Sequence, residues 1–395
     1  MGFAASPLAE HIRLRRGLWV FALVFGLGCG GGGGSSSPGT SAGIQPVQVA
    51  EGLEHPWAMA FLPDGSILVT ERVGRLRRVL PDGTLSSPIL GLPPLDARGQ
   101  GGLLDIALDP QFTSNRRVYL SFSEPGTGPE EGLNGTAVLR GVLSTDHQNL
   151  DSVEVIFRQL PKQNSTAHFG SRLVFDKGGR LFVTLGERNL DREGAQDFSN
   201  HLGKVVRING DGTIPSGNPF AGVTGAAPEV WSLGHRNVQG AAIHPDTGEL
   251  WTTEHGPQGG DELNRTLAGL NYGWPRISYG CEYGTPTETC TPVGGATSLP
   301  GLEQPASYWV PTSIAPSGLT FYTGTRYAGW QGNLFLGALA GKALWRIKLE
   351  GSAVVSREPL LMGLQARIRD VRQGLDGWLY VLTDEANGRI LRLEP

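Results

Sequence analysis

The sequence predicts an all-β protein with the architecture of a six-bladed β-propeller, and two features carry this prediction. The first is composition: the 395 residues include 59 glycines and 27 prolines, together about twice their average share. Because both residues are costly inside helices, they favour strands joined by turns. The second is a unit of two short apolar strands around a polar turn, which recurs along the chain. A pair of β-sandwiches is the alternative, but it leaves the repetition unexplained.

The repeated unit occurs six times, and each copy spans roughly 58 residues, enough for four strands with long loops. Asp-Gly and Pro-Asp-Gly turns join several of the strand pairs, and such turns favour hairpins. The paired apolar segments are residues 58–62 and 67–69, 106–108 and 118–120, 173–175 and 181–183, 241–243 and 250–251, 319–321 and 334–336, and 370–372 and 379–381. Residues 47–51 and 389–393 are expected to share one blade and so close the ring.

The N-terminus carries the pattern of an export signal. Arg13, Arg15 and Arg16 precede an apolar run over residues 18–28, which is shorter than the ~20 residues that a membrane span requires. Cys29 follows the run directly, as in bacterial lipoproteins that carry a lipid on this cysteine. A cleaved, unlipidated form is the alternative.

These features divide the chain into three parts. Residues 1–29 are interpreted as a signal peptide of lipoprotein type, residues 30–43 as a Gly/Ser-rich linker, and residues 44–395 as the propeller domain. The protein is therefore predicted to be exported, either to the periplasm or to the outer membrane, with membrane contact only through a lipid on Cys29.

Charge and cysteine content bear on partners and redox state. The net charge of −4 argues against nucleic-acid binding, which requires a basic excess. Export implies an oxidising compartment, so Cys281 and Cys290 are predicted to form a disulfide. A metal site is the alternative, although no Cys/His pattern surrounds the two cysteines.

A histidine and a carboxylate form one candidate pair. His168 stands just before a predicted strand, and Glu187 follows the next strand. A His–carboxylate couple is what a general base near neutral pH requires. The alternative is a structural histidine.

Two arginine-containing segments suggest anion recognition. Arg236 and Asn237 lie between glycines and can bind a planar acceptor or an anion, unless the segment is only a solvated loop. Arg367 and Arg369 lie two apart on a strand and so share a face, which makes an anion clamp. The alternative for this pair is a solvated strand face with acidic partners.

A third segment is rich in oxygen ligands. Residues 254–262 place carboxylates among glycines and a proline, and carboxylate and free carbonyl oxygens suit Ca²⁺. The spacing is not that of an EF-hand, and an ordinary acidic turn is the alternative.

In this order on a six-bladed pattern, the segments resemble the soluble pyrroloquinoline-quinone (PQQ)-dependent sugar dehydrogenases, especially the aldose sugar dehydrogenase branch. The likeness covers nearly the whole chain from residue 44. The segments that carry it are residues 99–104 (GQGGLL), 168–170 (HFG), 234–237 (GHRN), 254–264 (EHGPQGGDELN), 271–275 (NYGWP) and 367–370 (RIRD).

The resemblance implies a PQQ- and Ca²⁺-dependent enzyme that oxidises aldoses at C1 to lactones. His168 would remove the proton of the anomeric hydroxyl, and hydride would pass from C1 to the quinone. Arg236 would also stabilise charge on the reacting carbonyl. The residues implied to contact the cofactor or lie beside it are Gln100, Arg236, Asn237, Tyr283, Thr312, Arg367 and Arg369.

The same resemblance implies two calcium positions. The backbone oxygens of Gly256 and Pro257 would bind the ion that also holds PQQ, while Glu262 and Tyr272 match a second position. Three departures from the family concern cofactor contacts and sugar preference. A family lysine falls at Ala340, with Lys342 the nearest replacement; Ala167 stands where the glucose-dehydrogenase subgroup has an aspartate; and a pocket aspartate near Thr312 is missing.

The leading hypothesis is thus an exported quinoprotein acting on aldose sugars. The chain has no C-x-x-C-H haem motif, so electrons would leave to an external acceptor. Two alternatives remain open: a non-catalytic propeller that binds a glycan or protein, and a metal-dependent lactone hydrolase, for which no converging set of acidic ligands is found.

Overall fold

The computed structural model describes residues 43–395, which contain 23 β-strands and very little helix. The strands are β1 Gln45–Leu53, β2 Pro56–Phe61, β3 Ile67–Glu71, β4 Arg75–Val79, β5 Leu103–Leu108, β6 Arg117–Pro125, β7 Asn134–Leu143, β8 Leu150–Arg158, β9 Leu173–Phe175, β10 Arg180–Thr184, β11 Lys204–Asn209, β12 Val230–Leu233, β13 Val238–Ile243, β14 Leu250–Glu254, β15 Asp261–Arg265, β16 Ser307–Trp309, β17 Pro316–Phe321, β18 Leu334–Ala338, β19 Ala343–Glu350, β20 Ala353–Leu360, β21 Ile368–Gln373, β22 Leu379–Thr383 and β23 Gly388–Glu394. One short helix, α1, spans Phe112–Asn115, and the 3₁₀ turns are Gly128–Glu130, Glu193–Gln196, Val293–Gly295 and Met362–Leu364.

The strands form six antiparallel sheets, which confirms the predicted six-bladed propeller. Blade 1 is β2–β4, blade 2 is β5–β8, blade 3 is β9–β12, blade 4 is β13–β16, blade 5 is β17–β20, and blade 6 joins β21–β23 to β1. The first strand of each blade contacts the first strand of both neighbouring blades. These six strands, β2, β5, β9, β13, β17 and β21, therefore surround the central axis.

The two ends of the described chain meet in blade 6. Strand β1 pairs antiparallel with β23 from Gln45 opposite Glu394 to Leu53 opposite Gly388. This pairing confirms the predicted ring closure by the N- and C-terminal segments. The predicted signal peptide, its lipidation site Cys29 and nearly all of the predicted linker lie outside the described residues.

Blade 1 differs from the predicted four-stranded unit because it has three strands. After β4, the chain returns to that strand only through isolated bridges between Val79 and Leu85 and between Leu76 and Ile89. Prolines at positions 81, 88, 93 and 94 cannot donate to a strand ladder, so this stretch is unsuited to a fourth strand.

The hydrophobic core lies between neighbouring blades. One cluster joins blades 1 and 2 through side chains such as Leu68 and Leu120, and another joins blades 5 and 6 through Phe335 and Val381. Cys281 and Cys290 form the predicted disulfide. In residues 43–395, no helix has the length and apolar character needed to cross a membrane.

Candidate active site

A cavity of about 180 Å³ opens where the axial strands begin. Every blade contributes to its wall at this end. From blade 1 to blade 6, one such wall residue in each blade is Trp57, Leu104, Gly170, Gln239, Ala315 and Arg369. The propeller therefore brings residues more than 300 positions apart to one place on the axis.

His168 and Glu187 form the predicted couple beside this cavity. The Nδ1 atom of His168 lies 2.8 Å from Oε1 of Glu187, and both side chains are buried. The backbone N–H of Asn189 donates to the other oxygen of Glu187. Glu187 is therefore held in place from its own loop and fixes the Nδ1 edge of the His168 ring.

The backbone around His168 is tightly confined. His168 has a positive φ of 51°, and its backbone N–H donates to Oε1 of Gln100 at 2.9 Å. A Cβ at Gly186 would lie 2.1 Å from the His168 carbonyl oxygen, and one at Gly99 would lie 2.6 Å from the Thr166 carbonyl oxygen. Only glycine permits this close approach of neighbouring backbones.

The environment of His168 disfavours its protonated form. Burial lowers its pKa below the usual value, the hydrogen bond to Glu187 opposes this shift, and Arg236 reinforces it. The ring is therefore neutral at neutral pH. Its Nε2 makes no hydrogen bond within residues 43–395 and is not among their fully buried unpaired atoms, so it retains contact with solvent.

The predicted arginine clamp lies on the opposite wall. Arg367 and Arg369 both line the cavity, and their Nη2 atoms lie 3.3 Å and 2.7 Å from Oδ2 of Asp384. Nδ1 of His55 is 3.1 Å from the other oxygen of Asp384. Burial acts to raise the pKa of Asp384, but Arg369, His55 and Arg367 together lower this pKa below its usual value. The carboxylate thus orients the arginines, while the Nε atom of Arg369 is buried and has no hydrogen-bond partner within residues 43–395.

Arg236 stands between His168 and the segment after β14. Its backbone N–H donates to Oε2 of Glu254 at 2.7 Å, and its Nη1 donates to the carbonyl oxygen of Gly256 at 2.6 Å. Its Nε is buried without a partner among the described residues. Tyr283 is largely exposed, and its hydroxyl lies 3.4 Å from Nη2 of Arg236, which places Tyr283 at the edge of the site.

Two amides connect the walls. Oδ1 of Asn237 accepts hydrogen bonds from the Gly170 N–H at 3.2 Å and from Nε2 of Gln239 at 3.2 Å. Oε1 of Gln239 in turn accepts from Nη1 of Arg369 at 3.1 Å. Asn237 thus lies next to the His168 segment, and it is linked through Gln239 to the clamp.

His255 is a further wall residue. It follows β14, lines the cavity and lies 2.9 Å through Nε2 from the Pro316 carbonyl oxygen. Burial, Arg236, Arg369 and His168 together lower its pKa to about 3. The ring is therefore neutral and adds no charge to the cavity.

A second, much smaller void of about 10 Å³ lies beside Arg236, which is about the space of one water molecule or ion. Glu254 and Glu262 line it. Burial and the neighbouring Glu254 raise the pKa of Glu262 well above its usual value. Within residues 43–395 no three His, Cys, Asp or Glu side chains form a metal-binding cluster.

The predicted calcium residues gather around this void. Gly256, Pro257 and Tyr272 line it together with Glu262. The Tyr272 hydroxyl donates to the Arg265 carbonyl oxygen and accepts from the Leu267 N–H, so it is already engaged.

Several cofactor residues implied by the family resemblance do not line the cavity: Arg236, Asn237, Tyr283, Thr312 and Lys342. Thr312 and Lys342 are exposed, and neither lines its wall. Leu339, which does line the wall, stands immediately before Ala340. The roles assigned to Thr312 and Lys342 remain predictions.

Buried ion pairs form the floor below the cavity. Nη1 of Arg172 lies 3.2 Å from Asp105 and 3.1 Å from Asp370, and Arg372 contacts the same two carboxylates at 2.9 Å each. The backbone N–H of Met59 donates to Asp370 at 3.3 Å. These contacts join blades 1, 2, 3 and 6 and hold the axial strands in position.

Sequence reasoning missed several wall residues that share one position. Arg72, His255, Leu339 and Asp384 are each the first residue after the second strand of their blade. Three of these four residues are polar, so a polar residue directly after the second strand of a repeat is a pattern that points to the cavity.

Known proteins resemble this chain along almost all of the described range. The family model described as glucose/sorbosone dehydrogenase matches residues 53–392. The aldose sugar dehydrogenase YliI of Escherichia coli is 45% identical over 344 residues, which cover 87% of this chain and 91% of that protein. Quinoprotein glucose dehydrogenase B of Acinetobacter calcoaceticus is 28% identical over 410 residues, with coverage of 86% and 85%.

A solved structure agrees with these matches. The PQQ-bound form of aldose sugar dehydrogenase from Streptomyces coelicolor superposes with a TM-score of 0.71 at 30% identity, covering 89% of this chain and 97% of that one. The chain therefore belongs to the glucose/sorbosone dehydrogenase family.

Proposed function

We propose that this protein is a PQQ-dependent aldose sugar dehydrogenase that oxidises the anomeric carbon of its substrate to the lactone. The observation that carries the proposal is the His168–Glu187 couple, which stands within one site beside the arginines of the cavity. The relatives named above support it, because they are named as sugar dehydrogenases and one was solved with PQQ.

The cavity suits a planar ligand with several carboxylates, as PQQ is. Arg72, Arg367 and Arg369 line it against the single carboxylate of Asp384, which leaves an excess of positive charge. The Nε atoms of Arg236 and Arg369 have no partner within residues 43–395, so they are buried donors that a ligand would satisfy. Arg367 and Arg369 would hold the carboxylates, and Arg236 and Asn237 the quinone.

Bound PQQ would supply a carbonyl carbon that accepts hydride from C1 of the sugar. His168 would accept the hydroxyl proton at Nε2, the ring nitrogen that no described residue occupies. Glu187 would keep the proton of Nδ1 in place and stabilise the ring once it is charged. Gln100, which accepts from the His168 N–H, would fix the loop and border the sugar.

Calcium is part of the proposal. The small void lined by Glu254 and Glu262 is the size of one ion, and carboxylate and carbonyl oxygens are the ligands that Ca²⁺ prefers. The Pro257 carbonyl oxygen accepts no hydrogen bond from residues 43–395, which leaves it open for an ion. The raised pKa of Glu262 fits a carboxyl group that is stabilised when a cation is present.

The test is reconstitution of the purified protein with PQQ and CaCl₂, followed by dye reduction with a panel of aldoses and identification of the lactone. We expect PQQ-dependent turnover and a change in PQQ absorbance on binding. PQQ binding without turnover would favour a redox-inactive propeller, and the absence of both would contradict the proposal.

Electron transfer and location complete the proposal. The chain has no C-x-x-C-H motif, so a separate protein or diffusible compound would take the electrons. We propose export through the signal at residues 1–29, with Cys29 as a lipid anchor. Metabolic labelling with a radioactive fatty acid tests the anchor, and a Cys29→Ser variant should lose the label.

A further inference from the structure

We propose that Arg188 is a positioning residue that fixes the orientation of His168. The inference rests on the proposed function, because it gives Arg188 a part in presenting the base to the sugar. Arg188 follows Glu187 directly, so the two consecutive side chains hold the His168 segment from two sides: Glu187 holds the ring, and Arg188 holds the backbone.

The guanidinium of Arg188 makes four hydrogen bonds, all to uncharged oxygens. Its Nε donates to the Ala167 carbonyl oxygen at 2.9 Å and its Nη2 to the Ser165 carbonyl oxygen at 2.8 Å. Two more bonds go to Asn134, from Nη1 to the backbone oxygen at 3.1 Å and from Nη2 to Oδ1 at 2.6 Å. The planar fork thus ties residues 165–167 to β7 of the neighbouring blade.

The contact continues on the other side of His168. The guanidinium carbon of Arg188 lies 3.8 Å from the centre of the Phe169 ring, a cation–π contact with the residue that follows the base. The Ser165 hydroxyl donates to the Arg188 carbonyl oxygen, so the two segments bind each other reciprocally. Arg188 therefore contacts Ser165, Ala167 and Phe169, on both sides of His168.

These contacts of Arg188 matter because the His168 backbone is in an uncommon conformation. His168, Arg188 and Asn189 all have positive φ, at 51°, 66° and 56°. A non-glycine residue adopts this region at a cost and persists there only where its surroundings impose it. The four hydrogen bonds of Arg188 help to impose this conformation on the His168 segment.

Arg188 is not a ligand-binding residue. Its exposed fraction is 0%, so neither sugar nor cofactor reaches it. Burial lowers its pKa to about 10, yet it remains charged at neutral pH without a direct carboxylate partner within residues 43–395. A buried cation of this kind is costly, and the ordered oxygens of the His168 segment offset that cost.

Arg207 offers a matched control in the same blade. It is also buried, lies 4.2 Å from the Trp231 ring centre and donates to Asn218 at 2.8 Å, but it contacts neither the cavity nor the His168 segment. Arg188→Met and Arg207→Met should each destabilise the fold. Arg188→Lys keeps the charge but not the planar fork.

The experiment measures both turnover and the His168 ring, on protein below its unfolding temperature. We expect Arg188→Met and Arg188→Lys to lower kcat by about 10- to 100-fold with unchanged KM and PQQ affinity, since a small misplacement of a base has effects of that size. Arg207→Met should keep its kcat. Wild-type kcat in both Arg188 variants, or an equal loss in Arg207→Met, would overturn the inference.

The ring itself is followed by nitrogen-15 NMR, with the His168 signals assigned from a His168→Gln variant. In the wild type and in Arg207→Met we expect the tautomer with the proton on Nδ1, because Glu187 accepts that bond. In Arg188→Met we expect a mixture of tautomers and a higher pKa for His168. In Arg188→Met, the charged and titratable groups that still face His168 are Glu187, Arg236 and His255.

The NMR measurement needs no turnover, so it separates the two proposals. If the wild type shows no aldose oxidation, the proposed function fails, while the tautomer comparison still decides whether Arg188 orients His168. An unchanged His168 spectrum in Arg188→Met contradicts the role of Arg188 even in a fully active enzyme.

Discussion

The Nδ1 atom of His168 lies 2.8 Å from Oε1 of Glu187, although 19 positions separate them in the chain. His168 precedes β9, and Glu187 follows β10. Because β9 and β10 are antiparallel neighbours, the start of one and the end of the other meet at the same end of blade 3. Hairpin geometry thus produces the couple, and the ring of blades places it at the axis.

The charge of Glu187 is expected to be essential for turnover. Glu187→Gln keeps the size of the side chain but no longer stabilises a protonated ring, so kcat should fall by about 100-fold or more. Steady-state kinetics with a saturating aldose provides the measurement. Glu249→Gln, which alters an ion pair with Arg265 far from the cavity, serves as the control and should keep its activity.

The pH profile should show a base that stays neutral into the acid range. Because burial lowers the pKa of His168, the acid limb of kcat/KM should lie below pH 6.5. The bond to Glu187 raises that pKa, so the limb should move to still lower pH in Glu187→Gln. A limb above pH 7 in the wild type would rule out His168 as the base that controls it.

The two clamp arginines should differ in their effect on cofactor affinity. The Arg369 side chain is 10% exposed and that of Arg367 45% exposed, so water weakens the charge of Arg367 more. We expect Arg369→Met to raise the Kd for PQQ by about 10- to 100-fold, and Arg367→Met to raise it less. Equilibrium titration of PQQ absorbance measures both, with Arg357→Met on the outer strand β20 as the control. Equal effects in Arg367→Met and Arg369→Met would contradict this ranking.

The floor of the cavity should carry much of the stability of the ring. Asp370→Asn removes one charge from a buried network with Arg172 and Arg372, which typically costs about 3–5 kcal/mol. Urea unfolding should show this loss, whereas Asp211→Asn in an exposed turn should change the free energy of unfolding little. A loss below 1 kcal/mol in Asp370→Asn would mean that the network does not hold the blades together.

Calcium should stabilise the protein even without PQQ. An ion that binds only the folded state raises stability by about 2.7 kcal/mol at 100 times its Kd. We expect the Tm of the cofactor-free protein to rise with CaCl₂ and to fall on chelation. Glu262→Gln should abolish both shifts, while a normal calcium response in that variant would exclude Glu262 as a ligand.

The repeated strand pairs were predictable because hairpins are local: alternation and turn residues within about 25 positions define them. The prediction of four strands in every blade was wrong for blade 1, because prolines interrupt the stretch where the fourth strand was expected. The His168–Glu187 couple was within reach of sequence reasoning because it spans a single hairpin.

The opposite wall was harder to predict. Asp384 pairs with His55 across 329 positions, and the contact exists only because β1 and β23 close the ring. Trp57 and Arg72 belong to blade 1 and meet the last blade for the same reason. Such contacts depend on the angle of each blade around the axis, which local patterns do not contain.

The pairing of β1 with β23 also orders events during synthesis. Arg367, Arg369 and Asp384 belong to the last blade, and the strand that completes their sheet is the first one made. A nascent chain therefore keeps β1 unpaired until β23 has left the ribosome. The wall that carries Arg367, Arg369 and Asp384 is complete only then, so a chain truncated before β23 retains five blades and leaves the ring open.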